Sequence, residues 1–311
     1  MKKGIVALII IILIALGVWL LMKDGSDSTV TPDQELEDTD TSMGDENGDG
    51  DELADKTRTI IGSSVEGKEI VAYHYYGKNE DNVDFGPYLE ILLVGGIHGG
   101  YSWNTALVAY EAIDYFKANP DAIPDDVKLT IVPVLNPDGL EAVVGTSGRF
   151  SKDDVPTSES ETIPGRFNAN EVDLNRNFDC DWQAEAKWQS RDVSGGTAAF
   201  SEPEAKAIRN YIEDVNPAAV VVYYSAAGGV FASNCHGGVL SETTDLTKVY
   251  ADASGYGAYQ SFDFYEISGD MVNWLAKEGV PAISVLLSDH QNVEWSKNRS
   301  GVEAILEYYS S

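Results

Sequence analysis

Apolar residues follow two kinds of pattern along the chain. Runs rich in apolar residues and bounded by glycine, proline or polar residues predict buried strands. These runs are KEIVAYHYYG (68–77), YLEILLVGG (88–96), VKLTIVPVLNPDG (127–139, ending in a Pro-Asp-Gly turn), AAVVVYYSAAGG (218–229) and VPAISVLLSDH (280–290). Segments with apolar residues at helical spacing alternate with the strands, and they are NTALVAYEAIDYFKANP (104–120), SEPEAKAIRNYIEDVNP (201–217), SGDMVNWLAKEG (268–279) and SKNRSGVEAILEYYS (296–310).

This alternation predicts an α/β fold with a largely parallel central sheet and helices on both faces. The helix at 201–217 is predicted to start with Ser201 as its N-cap and Pro203 in its first turn. Residues 145–167 are polar and show little periodicity, which predicts a long surface loop of the kind that borders a site.

The first residues form a separate segment. Residues 5–22 are apolar and uncharged, and the run is long enough to cross a bilayer as a helix. No small-x-small cleavage site follows it, which favours an uncleaved signal anchor at 1–23 over a cleaved signal peptide. Because Lys2 and Lys3 precede the run, we expect a single-pass membrane protein with its C-terminal domain extracytoplasmic.

Residues 24–56 are predicted to be an acidic, disordered linker. Between 24 and 55 the chain has 13 Asp or Glu and no Lys or Arg, so it has little apolar surface to bury and its charges repel one another. The stretch DENGDGDEL (45–53) resembles a calcium-binding loop, but Lys56 stands where such a loop needs a bidentate glutamate. A domain is therefore expected from 57 to 311.

Composition excludes one class of partner and leaves the state of the cysteines open. The whole chain has a net charge of −30, and the domain remains strongly acidic without the linker. Nucleic acid is excluded as a partner because its phosphates need a basic surface. Cys180 and Cys235 fit either one disulfide in an oxidising compartment or two free buried thiols.

Seven motifs in a fixed order resemble the zinc carboxypeptidases of the carboxypeptidase A type. They are GGIHGG (95–100), LNPDG (135–139), VDLNRNF (172–178), FSEPEA (200–205), YYSAAGGV (223–230), YEISGDMVNW (265–274) and GVPAISVLL (279–287). The resemblance runs from Thr57 to the C-terminus and implies a mixed, largely parallel sheet and a zinc-dependent peptidase. It also implies that Cys180 and Cys235 border one cleft, which favours the disulfide.

The resemblance implies a metal site that is incomplete here. His98 matches the first zinc ligand, but Ser102 and Tyr224 occupy the other two ligand positions, and Leu286 occupies that of the general-base glutamate. A catalytic zinc needs three protein ligands and one open position to activate its water. Zinc is therefore implied by the family but expected to be weakly bound or absent. The other histidines, at positions 74, 236 and 290, lack ligand spacing to His98.

The residues that bind the substrate in the family that this sequence resembles are present here. Asn175, Arg176 and Tyr265 match the group that binds the terminal carboxylate, for which an arginine fork is well suited. Arg166 matches the arginine that stabilises the oxyanion, so that it and Tyr265 are the remaining catalytic positions. Val272 matches the floor of the specificity pocket and favours apolar C-terminal side chains weakly. Asp173 is an alternative, internal partner for Arg176.

Three functions follow as hypotheses. The first is a catalytically impaired or inactive carboxypeptidase-like domain that is anchored to the membrane and binds the C-termini of peptides or of cell-wall peptides. The second is an active metallocarboxypeptidase that uses substitute ligands. The third is a structural ectodomain whose pocket has no role.

Overall fold

The computed structural model of the protein describes residues 57–77 and 88–310. The predicted membrane helix (1–23) and the acidic linker (24–56) lie outside this part of the chain. Among the residues that are described, no helix has both the length and the apolar character needed to cross a bilayer.

The strands in the described part of the chain are β1 (Arg58–Ser63), β2 (Glu69–Tyr76), β3 (Leu89–Val94), β4 (Val127–Val132), β5 (Glu185–Trp188), β6 (Arg191–Ser194), β7 (Ala219–Ser225), β8 (Gly229–Ala232), β9 (Gly257–Tyr259) and β10 (Ala282–Leu287). Eight of these described strands form one mixed sheet in the order β1-β2-β4-β3-β7-β10-β8-β9. Strands β4, β3, β7 and β10 are parallel neighbours, whereas β1, β2 and β4 pair antiparallel, as do β8 and β10. A separate hairpin consists of β5 and β6.

Helices cover both faces of the sheet, as the sequence predicts. They are α1 (Trp103–Ala118), α2 (Pro137–Val144), α3 (Glu159–Thr162), α4 (Pro203–Val215), α5 (Ser241–Ser254), α6 (Met271–Lys277) and α7 (Trp295–Tyr309). Helices α1, α5 and α7 pack with Val221 on one face, and α4 and α6 pack with Val220 and Val222 on the other. Both cores are apolar because β3, β7 and β10 are buried on both faces.

Two local predictions are wrong. The Pro-Asp-Gly sequence at 137–139 does not form a turn but begins α2, because Asn136 accepts a hydrogen bond from the Gly139 amide at 2.8 Å and caps the helix. Ser201 is not the N-cap of α4: the helix begins at Pro203 after Glu202, and the Ser201 hydroxyl donates to the Glu202 carboxylate.

The polar stretch at 145–167 is only in part a loop. It contains α3 and two 3-10 turns, Lys152–Asp154 and Ile163–Arg166. The second turn ends with Arg166, so that this stretch delivers a buried side chain to the site.

Candidate active site

A cavity of 790 Å³ brings together nearly all of the predicted site residues. It lies where β3, β7 and β10 end and is bordered by the β5–β6 hairpin and the segment that leads into α6. The predicted residues that line it are His98, Arg166, Asn175, Arg176, Tyr224, Tyr265, Val272 and Leu286. Ser102 does not line the cavity but is buried immediately before α1.

His98 is buried in the loop between β3 and α1. The backbone turns at Gly99, which has a φ of +41° and lies against the carbonyl of Gly165. A Cβ at this position would lie 2.6 Å from that carbonyl oxygen, so the turn requires glycine. The Nε2 atom of His98 lies 3.5 Å from Oδ1 of Asp173, too far for a well-formed hydrogen bond. Burial lowers the pKa of His98 to about 4, so the ring is neutral at pH 7.

The groups at the other metal and base positions do not fit a zinc ion. The Tyr224 hydroxyl donates to Oδ1 of Asn175 at 3.0 Å, and burial raises the pKa of this phenol well above its usual range. Leu286 offers no acid or base, and the buried Ser102 hydroxyl has no hydrogen-bond partner in the part of the chain that the structure describes. Within 57–77 and 88–310, no three His, Cys, Asp or Glu side chains are grouped to hold a metal. One imidazole with a neutral phenol and a hydroxyl is a poor donor set for zinc.

The three other histidines lie in different parts of the structure. His290 lines the cavity and packs against Tyr101 at 4.6 Å between ring centres. His74 instead hydrogen bonds to Thr130 at 3.1 Å within the sheet, and His236 is exposed beside Asp181. Of these three histidines, His290 lines the same cavity as His98, and His74 and His236 do not.

Arg166 is held by an internal carboxylate. Its Nε and Nη2 atoms lie 2.9 Å and 2.7 Å from Oδ2 of Asp173, and its guanidinium stacks on Trp188 at 4.3 Å from the ring centre. Although burial alone would raise the pKa of Asp173, the charge of Arg166 holds it well below its usual range. The alternative partnership of Asp173 with Arg176 is thus wrong, because Asp173 is committed to Arg166.

Arg176 is fixed by backbone carbonyls and keeps one free donor. Its Nε donates to the carbonyl of Lys187 at 2.8 Å, and its Nη1 donates to that of Asn175 at 2.6 Å. Its Nη2 is buried and has no hydrogen-bond partner among the described residues. A positioned guanidinium with an unused donor facing a cavity is suited to bind an anion, above all a carboxylate.

Asn175 lines the same cavity. Its Oδ1 accepts hydrogen bonds from the Tyr224 hydroxyl at 3.0 Å and from the Met271 amide at 3.1 Å. With the oxygen occupied in this way, the Nδ2 group is the part of Asn175 that can donate to a ligand. Tyr224 therefore orients the side chain of Asn175.

One wall of the cavity is aromatic. Tyr265 packs edge-on against Phe262 at 5.1 Å, and Phe262 packs against Phe231 at 5.5 Å. Phe264, beside them, is 61% exposed. This wall gives the cavity an apolar surface close to Val272, which is itself buried.

Asp270 is a cavity-lining residue for which the sequence gives only a faint signal, an acid between Gly269 and Met271 at the start of an apolar helix. It is 4% exposed, and among the residues that the structure describes its Oδ1 has no hydrogen-bond partner. Burial raises the pKa of Asp270 to about 6, and the charge of Arg176 and hydrogen bonds with Asn273 oppose that shift only in part.

A disulfide joins two segments that border the cavity, which confirms the favoured state of the cysteines. Cys180 and Cys235 are bonded, with their Cα atoms 6.1 Å apart. The carbonyl of Cys180 also accepts a hydrogen bond from the Gly269 amide at 2.6 Å. The bridge thus connects the segment after Arg176, the segment after β8 and the segment that carries Asp270.

Sequence comparison identifies relatives over most of the domain. The zinc carboxypeptidase family profile matches residues 51–302. Metallocarboxypeptidase A of Arthroderma otae is 27% identical over 237 residues, covering 68% of this chain and 53% of that protein. Carboxypeptidase Z of Rattus norvegicus is 26% identical over 205 residues, covering 60% of this chain and 28% of that protein. The chain thus spans about half, or less, of the length of these relatives.

Solved structures share the fold at low sequence identity. Carboxypeptidase A from Helicoverpa armigera superposes with a TM-score of 0.61 at 20% identity, covering 83% of this chain and 69% of that one. The murein-tripeptide amidase MpaA from Escherichia coli O157 superposes with a TM-score of 0.53 at 19% identity, covering 82% and 92%. These likenesses support the carboxypeptidase-like α/β fold.

Proposed function

Because the chain belongs to the zinc carboxypeptidase family, we propose that its domain binds peptides by their free C-terminal carboxylate and has little or no hydrolytic activity. The observation that carries the proposal is the buried Nη2 of Arg176 at the wall of the cavity, a cationic donor that has no partner within 57–77 and 88–310. The amide nitrogen of Asn175 and the nearby Tyr265 add donors for the same group. A peptide carboxylate would satisfy donors that the folded chain itself leaves unused.

The proposed loss of hydrolysis is supported by the donor set at the metal and base positions. In this family a bound zinc would polarise the scissile carbonyl and activate water. Here Tyr224 is a neutral phenol engaged with Asn175, and Leu286 has no proton-accepting atom. His98 and Arg166 remain, but they supply one imidazole and one cation already paired with Asp173.

We further propose that residues 1–23 anchor the protein in a membrane, with the domain outside the cytoplasm at the end of the acidic linker. In that location the accessible C-termini include those of extracytoplasmic peptides and of cell-wall peptides. The apolar run at 5–22 and the lysines before it support this part of the proposal.

Calorimetry on the full-length protein in detergent tests the binding. A peptide with a free C-terminus should bind, and its C-terminally amidated form should not. Arg176→Ala should weaken binding of the free peptide about tenfold or more, since it removes a charge-assisted hydrogen bond. Arg176→Lys, which keeps the charge but not the fork, should fall between. Arg58→Ala, on the outer strand β1, removes an equal charge and serves as the control.

Metal content and turnover test the proposal that the domain has little or no hydrolytic activity. Protein purified with zinc present should hold well under one equivalent by elemental analysis and should release no C-terminal residue detectable by mass spectrometry. Chelator-sensitive release would instead establish an active peptidase with substitute ligands. If no peptide with a free C-terminus binds, the domain has a structural role.

Restoring the missing groups provides the converse experiment. Ser102→Glu, Tyr224→His and Leu286→Glu must be combined, since residues that act as a unit are not additive. The triple variant is expected to bind zinc and to gain thermal stability from it. The pair without Leu286→Glu should bind metal but show little turnover. A triple variant that remains free of zinc would show that the ligand positions no longer converge.

A further inference from the structure

Two exposed aromatic side chains adjoin the aromatic wall of the cavity. Tyr259, in the edge strand β9, is 45% exposed, and Phe264, in the segment that leads into α6, is 61% exposed. Both rings pack against Phe231, which lines the cavity, at 4.7 Å and 5.9 Å between ring centres. Phe231, Tyr259 and Phe264 thus form one surface, called here the aromatic platform. The proposed binding of a peptide carboxylate does not use it.

The packing holds the ring of Tyr259 as a flat surface. Its plane lies within 13° of the plane of Phe231, so stacking covers one face of the tyrosine ring. Strands β8 and β9 place the two residues opposite each other, and a Cβ at Gly229 would lie 2.6 Å from the tyrosine ring, so glycine leaves the room that the ring needs. The exposed part of Tyr259 is therefore mainly its other face. A ring fixed in this way needs little further ordering to bind a ligand.

The aromatic platform is too small for a stable protein partner. An aromatic side chain buries roughly 150–250 Å² when it is fully covered, so two half-exposed rings offer on the order of 200 Å². A stable protein interface needs about 800 Å² from each partner. A small molecule with a flat apolar face is the better match.

Polar groups beside the aromatic platform indicate the chemistry of that molecule. Asn234 and Ser261 are exposed and line the adjoining cavity, and Asp263 is exposed in the same segment as Phe264. An amide, a hydroxyl and a carboxylate can together donate to and accept from neighbouring hydroxyl groups. Asp263 and the net negative charge of the chain repel anionic ligands, including acidic phospholipids. A neutral ligand with an apolar ring face and a hydroxylated edge fits both the rings and their surroundings.

We propose that the aromatic platform binds a neutral saccharide, with pyranose rings stacked on Tyr259 and Phe264. A pyranose has a face of C–H groups, which packs on an aromatic ring, and an edge of hydroxyls, which the polar groups beside the platform can bind. Two neighbouring rings suit an oligosaccharide better than a single sugar. The site goes beyond the proposed function, because a neutral saccharide has no carboxylate for Arg176 to bind.

Calorimetry with chitotetraose, a neutral tetramer of β-linked N-acetylglucosamine, tests the site on the full-length protein in a detergent without a sugar headgroup. The tetramer should bind, and more tightly than the monomer, because it can cover both exposed rings. Tyr259→Leu and Phe264→Leu each keep an apolar side chain but remove the flat ring. Each should weaken binding of the tetramer roughly three- to tenfold, the size expected for one aromatic contact.

Matched variants separate stacking from other effects. Tyr259→Phe and Phe264→Tyr keep a ring and should bind the tetramer nearly as well as wild type. Tyr308→Leu removes an aromatic side chain of similar exposure, 39%, from α7 and should leave the affinity unchanged. Thermal unfolding shows whether each variant is folded. If a leucine variant does not fold, saturation-transfer NMR on the wild-type protein decides: irradiation of aromatic protons should reach the C–H protons of one face of the sugar.

The failures of this inference and of the proposed function are distinguishable. If the wild-type protein does not bind chitotetraose at millimolar concentration, the saccharide site is refuted, whatever peptides bind. The same holds if both leucine variants fold and bind the tetramer as tightly as wild type, or if Tyr308→Leu weakens binding as much as they do. If chitotetraose binds and no peptide with a free C-terminus does, the proposed function fails and the saccharide site stands.

Discussion

Replacing Asp270 by asparagine should stabilise the domain at neutral pH. The carboxylate is 4% exposed, and burial raises its pKa from 3.8 to about 6. A shift of about two pKa units corresponds to roughly 3 kcal/mol of differential free energy between the protonated and ionised forms. In the ligand-free protein at pH 7, Asp270 is therefore ionised at the expense of folding stability.

The direction of the stability change and the pH range over which it occurs follow from the linkage between proton binding and folding. Because the pKa of Asp270 is higher in the folded state, the folded protein binds this proton more tightly than the unfolded chain does. Below pH 3.8 both states hold the proton, and the aspartate costs nothing relative to asparagine. Stability is lost as the pH rises from 3.8 to about 6, and the full difference persists above pH 6.

Thermal unfolding of wild type and Asp270→Asn from pH 4 to pH 8 measures this difference. The variant should melt roughly 5–10 °C higher at pH 7–8, a conversion appropriate for a domain of this size. The two curves should converge near pH 4. Asp263→Asn, which changes an exposed carboxylate, should stay within about 0.5 kcal/mol of wild type at every pH. A gain that is independent of pH, or a loss at pH 7, would refute the reasoning.

Three further predictions concern other parts of the molecule. Tyr224→Phe removes a donor to Oδ1 of Asn175, and calorimetry should show peptide binding weakened roughly three- to tenfold while the melting temperature changes little. The disulfide between Cys180 and Cys235 closes a loop of 55 residues, so its reduction should lower the free energy of unfolding by up to about 4 kcal/mol. Alkylation followed by intact-mass measurement tests for the bond, and two thiols that react before reduction would contradict it. Protease added to intact cells should digest the chain beyond residue 24, and complete protection would overturn the proposed orientation.

The sheet was largely predictable from the sequence because its central strands are buried on both faces. Val220, Val222 and their neighbours in β7 form an unbroken apolar run that only a buried strand or helix explains. The helices and strands that the sequence did not predict have weak hydrophobic patterns. Helix α5 buries Thr243 and Thr247 along with its apolar residues, and β8 has only four residues. Helix α2 begins with a tripeptide typical of turns, and its cap at Asn136 depends on local geometry.

The grouping of the matched residues was predictable, but their pairing was not. The order of the family motifs implied that His98, Arg166 and Arg176 lie close together, and all three line one cavity, although the two arginines lie in 3-10 turns. Which arginine Asp173 neutralises depends on side-chain directions that sequence spacing does not determine. The burial of Asp270, which raises its pKa, is likewise a property of the folded molecule that the sequence does not show.

The hydrogen bond from Tyr224 to Asn175 bears on how this site can change over evolutionary time. Histidine at 224 would remove one of the two donors to the Asn175 amide oxygen, and glutamate at 286 would bury a charge among apolar neighbours. Each of these single substitutions is thus disfavoured on its own, although the combination could be tolerated. If the proposed binding function holds, selection on binding would preserve Tyr224, and a change towards the family's metal ligands would need several substitutions at once.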